Sequence, residues 1–399
     1  MNCDLKELDF GLNSLVIFRG ILKDRVIETL SNLLAADESD TLGQIQLYSK
    51  FVYELYKKSE NLSKYMLNLI LEDENSYIIR HAEGEAIDEL IEQCVSNELD
   101  VLQRIASLTP DDVAEHIQYS GFLPQWKNSD FVIKDEYKKR IEKISIYGYG
   151  IYAKYTMFII KNGKITPVRY PDDTKLSDLI GYKREREAVI NNTLALMSGK
   201  PAQNVLLCGD AGTGKSSTVK AIVNEYSDNG LRLIEVTKEQ LRDIPHIIDS
   251  ISRNPLKFIL FIDDLSFSSD DDCFGALKAT LEGSVSARAD NIAIYATSNR
   301  RHLVKERFSD RDGDDVHRND TIQELISLSA RFGLTVTFSK PDKNAYMEIV
   351  LGLAKKHNID MDEKELVTQA EAFALQGVGR SARTAKQFIN HLLVKNSSV

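Results

Sequence analysis

The segment of the sequence that most clearly indicates chemistry is the octapeptide Gly209–Ser216, which matches the phosphate-binding pattern G-x-x-x-x-G-K-[ST]. It follows a predicted apolar strand and precedes a predicted helix, where such a loop has to lie. Glycines let successive backbone N–H groups curve around phosphate oxygens, and the positive end of the helix dipole attracts the anion. Lys215 should reach the β- and γ-phosphates and the Ser216 hydroxyl should bind magnesium. The expected phosphate contacts are Gly209, Asp210, Ala211, Gly212, Thr213, Gly214, Lys215, Ser216 and Ser217.

Two carboxylates follow a later apolar strand. The run Phe258–Ile262 contains no polar residue and is followed by Asp263 and Asp264. Two acids at the buried end of a strand are unfavourable unless a cation or hydrogen bonds compensate them. A magnesium–nucleotide site accounts for the pair, with Asp263 in the magnesium shell and Asp264 orienting or activating the attacking water. A helix cap on the following loop is the alternative for Asp264 alone.

A third predicted strand, over residues 291–296, runs into Thr297, Ser298 and Asn299. A polar residue at the end of the strand beside the acidic one can hydrogen-bond both the γ-phosphate and the attacking water. We therefore expect Asn299 to take part in catalysis. Outside this context, an asparagine here would be an ordinary turn residue.

The elements around these motifs predict an α/β fold. Strands and helices alternate after residue 173, and the strands lack polar alternation, so helices should cover both faces of a parallel sheet. The predicted strands lie at 204–208, 232–236, 258–262, 292–296 and 334–338. Three predicted helices close the chain, at 343–356, 363–375 and 382–394.

The first part of the chain has a different pattern. Apolar residues recur at helical spacing from about residue 12 to 145, and Thr109-Pro110 predicts a helix start. Asn162-Gly163, within a segment rich in β-branched and aromatic residues, favours a hairpin turn. The chain should therefore have four parts: an all-α N-terminal domain over 1–145, a β-hairpin and linker over 146–172, an α/β nucleotide-binding core over 173–340 and a helical lid over 341–399.

Composition and charge exclude several classes of protein. Charged residues make up 28% of the 399 residues, and no run approaches the roughly 20 apolar residues that cross a bilayer. The acidic N-terminus lacks the pattern of a signal peptide, and the four cysteines lie far apart, so we expect a cytoplasmic protein without a disulfide framework or zinc site. A net charge of -10 does not indicate nucleic-acid binding, and the lysines of 134–143 alternate with acids as on a solvated helix face.

Together these motifs resemble the AAA+ superfamily of ATPases over roughly residues 173–399. The likeness includes Arg331-Phe332-Gly333 and an arginine-rich final helix. More closely, the sequence is similar to a bacterial AAA+ family catalogued as domain of unknown function eight-fifteen, whose substrate is not established. The segments that carry this second likeness are LIGY at 179–182, residues 231–236, DDLSF at 263–267, YATSNRRHL at 295–303 and SLSARFGL at 327–334.

The resemblance implies a five-stranded parallel P-loop sheet in the order fifth, first, fourth, third, second, with ATP and Mg²⁺ bound between the core and the helical lid. It also implies ATP hydrolysis in a homo-oligomeric ring, a hexamer by preference. Arg331 takes the place of the arginine finger, which completes the neighbouring subunit's site. Arg383 resembles the sensor 2 arginine at the start of the last lid helix, and Arg380 is its alternative. The alternatives for the finger are Arg300, Arg301 and Arg318.

One residue departs from the superfamily pattern. Most active members carry a glutamate after the aspartate that corresponds to Asp263, whereas this chain has Asp264. The shorter side chain sets the carboxylate about 1 Å further back unless the backbone compensates. We therefore expect an active but slow ATPase.

Three functions fit the sequence. The first is an ATPase that couples hydrolysis to the remodelling or assembly of an unidentified macromolecule. The second is a slow nucleotide-dependent switch that recruits a partner through the helical N-terminal domain. The third is a DNA-associated ATPase like a helicase loader, since residues 329–333 resemble a stretch of bacterial replication initiators, although the acidic pI of about 5.4 counts against it. Small-molecule kinases share the phosphate loop but lack the combination of Asn299, Arg331 and a C-terminal lid.

Overall fold

The computed structural model describes residues 4–265, 273–282, 289–299, 330–377 and 379–396. The chain divides into two compact units, Met1–Lys154 and Tyr155–Val399. Within the described ranges, no helix has both the length and the apolarity that a bilayer crossing requires.

The first unit is helical, as its apolar spacing predicts. Thr109 caps the start of one helix, as predicted. Its side chain accepts a hydrogen bond from the backbone N–H of Asp112, and the side chain of Asp112 accepts one from the backbone N–H of Thr109. The buried carboxylate of Glu98 accepts the backbone N–H groups of residues 16–18 and so fixes the start of the 3₁₀-helix Phe18–Lys23. The helices are α1 (Leu5–Asn13), α2 (Arg25–Leu34), α3 (Thr41–Tyr56), α4 (Leu62–Glu72), α5 (Ser76–Ala82), α6 (Glu89–Ala106), α7 (Pro110–Ala114), α8 (Ile133–Glu142), α9 (Ile144–Tyr147) and α10 (Ile151–Lys154).

The second unit is built on a seven-stranded sheet with the order β2-β1-β4-β5-β6-β3-β7. Only β1 and β2 are antiparallel among the paired strands that the structure describes. The strands are β1 (Met157–Lys161), β2 (Lys164–Pro167), β3 (Val205–Gly209), β4 (Leu231–Glu235), β5 (Lys257–Ile262), β6 (Ile292–Ser298) and β7 (Leu334–Phe338). The helices between them are α11 (Lys183–Met197), α12 (Lys215–Tyr226), α13 (Ile244–Ile251) and α14 (Cys273–Glu282).

The sheet is larger than the five strands expected. Strands β7-β3-β6-β5-β4 do follow the expected order of fifth, first, fourth, third, second. The hairpin, however, is no linker: Met157 lies opposite Leu233 and Ile159 opposite Glu235 in parallel pairing with β4. The five-stranded prediction is therefore wrong, because β1 covers the backbone groups along the outer edge of β4. The hairpin turn itself is as predicted, with Asn162 at a φ of 50°.

Three C-terminal helices form a small hydrophobic core of their own. They are α15 (Lys343–Lys356), α16 (Glu363–Gln376) and α17 (Ala382–Asn396). Tyr346, Val350, Ala370 and Phe388 are buried in that core. The side chain of Asp342 caps the first of these helices by accepting the backbone N–H of Ala345 at 2.8 Å. These helices lie within residues 341–399, where a helical lid is expected, and their role as a lid stays a prediction.

Candidate nucleotide-binding site

The predicted phosphate loop joins β3 to α12. Gly209, Gly212 and Gly214 have φ values of 130°, 78° and 93°, which residues with a Cβ rarely adopt. A Cβ on Gly209 would lie 2.1 Å from the carbonyl oxygen of Phe338, whereas one on Gly214 would meet no atom of the described residues within 4 Å. The loop is therefore closed on the side of β7 and open beside Gly214. An anion can approach the N-terminus of α12 from that open side.

Lys215 is buried, with 5% of its surface exposed. Its ammonium donates hydrogen bonds to the carbonyl oxygens of Gly209 at 2.9 Å and Asp210 at 2.8 Å, and to Oδ1 of Asn299 at 3.0 Å. Burial lowers the pKa of Lys215 below its ordinary value, and the nearby acids oppose that shift. The ammonium thus lies among oxygen acceptors at the base of the loop.

Ser216 and Asp263, both expected at the magnesium, are in contact in the structure. The Ser216 hydroxyl donates to Oδ1 of Asp263 at 2.6 Å, which brings the start of α12 to the carboxyl end of β5. Oδ1 of Asp263 also accepts the backbone N–H of Asp264 at 3.1 Å. A hydroxyl and a carboxylate side by side are the hard oxygen ligands that magnesium prefers. The donor set of Ser216 and Asp263 therefore fits Mg²⁺.

Asp264 has an unusual backbone conformation. Its φ is 52°, in the left-handed region that residues other than glycine seldom adopt. Oδ1 of Asp264 accepts a hydrogen bond of 2.7 Å from Nδ2 of Asn299. The structure thus brings Lys215, Asp264 and Asn299 together at one edge of the sheet, where the parallel strands end.

Thr297 was not among the predicted site residues. Its hydroxyl donates to Oδ1 of Asp263 at 2.5 Å and accepts the backbone N–H of Asp264 at 2.9 Å. The register explains these contacts: Ile262, the last residue of β5, lies opposite Ala296, so the residues that follow them, Asp263 and Thr297, are neighbours. The signal available in the sequence was the two-residue spacing from Asn299, since alternate residues of a strand point to the same side.

A cavity of about 760 Å³ opens above these residues. Its volume lies within the range of small-molecule and cofactor sites. Its lining includes the loop residues Ala211–Ser217 and the two acids, although Gly209 and Asp210 do not line it. Apolar side chains also line it, namely Leu179, Ile180, Tyr182, Ile349 and Leu353. The cavity therefore offers polar groups that suit phosphates and apolar groups that suit a flat ring.

The arginines expected at the site lie in different surroundings. Arg383 lines the cavity, and its backbone N–H donates to the carbonyl oxygen of Gly212 at 3.0 Å. Neither Arg380 nor Arg331 is among the described residues that line the cavity. Nε of Arg380 instead donates to Glu371 at 3.1 Å. Arg331 lies just before β7. The alternative fingers Arg300, Arg301 and Arg318 lie outside the described residues.

Several basic residues line the cavity without having been predicted from the sequence. No motif marks them, because they come from α11, from the C-terminal end of α15 and the residue that follows it, and from α17, and they meet only in the folded unit. These residues are Arg186, Lys356, His357 and Lys386. Lys356 forms an ion pair with Asp178, which also lines the cavity.

The sequence matches the model of one protein family. The family described as "Protein of unknown function (DUF815)" matches the chain over residues 153–396. The chain belongs to this family. The DUF815 match spans β1 to α17 and so includes the hairpin as well as the cavity.

Other similarities of this DUF815 protein are more distant. A probable spastin homolog of Brugia malayi is 25% identical in an alignment 216 residues long, and the match covers 48% of this chain and 43% of that relative. The chain therefore covers less than half the length of that curated relative. Two solved structures of Thermotoga maritima RuvB are also similar. An alanine-to-serine variant is 15% identical with a TM-score of 0.38, and a proline-to-glycine variant is 17% identical with a TM-score of 0.37. Each likeness covers 54% of this chain and 64% of the RuvB chain.

Proposed function

We propose that this protein binds ATP with magnesium in the cavity of the second unit and hydrolyses the ATP to ADP and phosphate. The observation that carries the proposal is a series of hydrogen bonds. Lys215 donates to Asn299, Asn299 to Asp264, the backbone of Asp264 to Asp263, and Ser216 to Asp263. All members of this series line one cavity: Lys215, Asn299, Asp264, Asp263 and Ser216.

Each member of the series has a distinct task in this reaction. Lys215 neutralises charge on the β- and γ-phosphates, together with the N–H groups of the loop. Magnesium held by Ser216 and Asp263 supplies charge compensation at the phosphate oxygens. Asp264 orients the attacking water and accepts its proton, while Asn299 holds Asp264 and contacts the γ-phosphate. Arg383, at the cavity wall, acts as the sensor 2 arginine and adds charge-assisted hydrogen bonds to the phosphates.

The active form in this proposal is a homo-oligomeric ring, a hexamer by preference. Support comes from Arg331, which precedes β7 and does not line the cavity of its own chain among the described residues. An arginine finger in that position completes the neighbouring subunit's site. Its planar, permanently charged guanidinium suits the charge that develops in the transition state.

The ring couples hydrolysis to the remodelling or assembly of a macromolecular partner in the cytoplasm, through the helical first unit. One observation favours the second candidate function, a slow nucleotide-dependent switch. The acid after Asp263 is an aspartate, and its carboxylate is hydrogen bonded to Asn299. A turnover of about one per second or faster with a partner present supports remodelling, since enzymes commonly reach that range. A much slower turnover that a partner does not stimulate supports the switch.

Calorimetry of ATP binding tests the proposal. Lys215→Ala should abolish measurable ATP binding, because the loop loses its cation. It also loses the three hydrogen bonds that the ammonium donates to Gly209, Asp210 and Asn299. Lys220→Ala, on the same helix but away from the cavity lining, should bind like the parent. Thermal unfolding of both variants checks the fold. An affinity for ATP within twofold of the parent in Lys215→Ala contradicts the assignment of the loop.

A further inference from the structure

The hydroxyl of Thr297 contacts both acids of the candidate site. It donates to the carboxylate of Asp263 at 2.5 Å and accepts the backbone N–H of Asp264 at 2.9 Å. The sheet does not depend on these contacts, because β5 and β6 pair through their own backbone groups. The carbonyl oxygen of Thr297 also accepts the N–H of Leu265 at 2.7 Å, a bond that survives any side-chain substitution. The hydroxyl therefore serves the acids specifically.

Burial supports the same conclusion. Thr297 has only 2% of its surface exposed. A valine has the same shape and fits a strand equally well, and it carries no polar atom that has to be desolvated. A buried hydroxyl is favourable only when it is hydrogen bonded. Both of its hydrogen bonds here lead to Asp263 and Asp264.

The second of these contacts fixes an unusual conformation. Asp264 has a φ of 52°, which a residue with a Cβ keeps only when its surroundings hold it there. Its N–H is held by Thr297 and by Oδ1 of Asp263. In this conformation the carboxylate meets Nδ2 of Asn299 at 2.7 Å. The Thr297 hydroxyl is therefore one of the two acceptors that hold the Asp264 N–H in this conformation.

We propose that Thr297 is a positioning residue for ATP hydrolysis, a statement that rests on the proposed function of the site. Its hydroxyl holds Asp264 in the left-handed conformation from which a short carboxylate reaches the attacking water. Aspartate has one methylene fewer than the glutamate usual at this position in similar ATPases. The backbone conformation therefore decides where the carboxylate lies, and Thr297 sets that conformation.

The test compares Thr297→Val with Thr297→Ser and with Thr335→Val, an exposed strand position that does not line the cavity. Thr297→Val should lower kcat about tenfold or more while KM for ATP changes less than about threefold, the pattern of a group that acts in the transition state. Thr297→Ser keeps the hydroxyl and should recover most of the rate. Thr335→Val should match the parent. Crystal structures of the parent and Thr297→Val should differ at Asp264, which leaves the left-handed region in the variant.

A coupled substitution distinguishes positioning from a general loss of stability. In Asp264→Asn the carboxylate is already absent, so adding Thr297→Val should lower kcat by less than about twofold. Three results overturn the proposal: a kcat of Thr297→Val equal to the parent, a Thr297→Ser as slow as the valine variant, or an unchanged Asp264 conformation in the Thr297→Val crystal. A parent protein that neither binds nor hydrolyses ATP overturns the proposed function instead. The two crystal structures then still decide whether Thr297 holds the acids.

Discussion

Lys215 and Asn299 are joined by a hydrogen bond of 3.0 Å from the ammonium Nζ to the carboxamide Oδ1. The nitrogen of the same carboxamide donates to Asp264 at 2.7 Å. Because the oxygen of a carboxamide only accepts and its nitrogen only donates, Asn299 fits between a cation and a carboxylate in one orientation. The group expected at the γ-phosphate and the group expected at the attacking water are therefore coupled through one side chain.

Asp264→Asn should bind ATP like the parent and hydrolyse it roughly 10²-fold more slowly or worse, because an amide cannot accept the proton of the water. The amide oxygen can still accept the hydrogen bond from Asn299, so the site should keep its shape. Asp264→Glu is the matched variant and should keep or raise turnover. Steady-state phosphate release and calorimetry measure the two quantities separately. Unchanged turnover in Asp264→Asn means that another group activates the water.

Arg331→Ala should bind ATP nearly normally but hardly hydrolyse it. Arginine fingers acting in trans contribute about 10³–10⁵ in rate in related GTPases. Mixing Arg331→Ala with Lys215→Ala subunits should partly restore activity, because one partner keeps an intact phosphate loop and the other an intact finger. Turnover of the parent should also rise faster than linearly with protein concentration until the ring is saturated.

The control for this mixture is a chain that carries both substitutions. Mixed with Lys215→Ala subunits, the double variant has no intact loop to offer and should remain inactive. If the mixture of single variants is inactive although subunit exchange is measured directly, Arg331 does not act in trans. Activity per subunit that stays constant down to a proven monomer leads to the same conclusion.

Arg383 and Arg380 should have separable effects. Arg383→Ala should weaken ATP binding or slow hydrolysis by about tenfold or more, the loss expected for a charged hydrogen-bond donor at the phosphates. Arg380→Ala removes the ion pair with Glu371 and should lower the thermal unfolding midpoint slightly while leaving the affinity for ATP unchanged. The reverse pattern, with normal turnover in Arg383→Ala and impaired turnover in Arg380→Ala, assigns sensor 2 to Arg380.

Gly209→Ala should destabilise the second unit strongly. The new Cβ would lie 2.1 Å from the Phe338 carbonyl oxygen, so β3 and β7 would have to move apart. In addition, Gly209 has a φ of 130°, which alanine avoids. Gly163→Ala is the matched control, because Gly163 also has a positive φ, of 71°, but no atom of the described part of the chain lies within 4 Å of its Cβ position. The control should cost about 1–2 kcal/mol. Thermal or urea unfolding compares the two, and equal losses contradict the role given to the contact with Phe338.

The sequence predicted the parts of the site that follow from local order along the chain. The phosphate loop and the acids after β5 each lie within a short segment whose strand and neighbouring turn can be recognised together. Two features escaped prediction because they depend on pairing between distant segments. The docking of the hairpin requires β1 to find β4, and the role of Thr297 requires the register of β6 against β5. Arg383 and Arg380 are only three residues apart, so sequence alone did not separate them.

The parallel pairing of β1 with β4 has a consequence for experiments on shortened chains. A chain that begins at residue 173, where the predicted nucleotide-binding core starts, lacks both strands of the hairpin. Its β4 then presents a row of unpaired backbone N–H and C=O groups, which templates pairing with another molecule. Such a chain should self-associate through the edge of β4, with or without ATP. In a mass measurement, this aggregate could be mistaken for a ring of subunits. A chain that begins at Tyr155 keeps the edge covered, so any oligomer that it forms with ATP reports on the subunit interface itself.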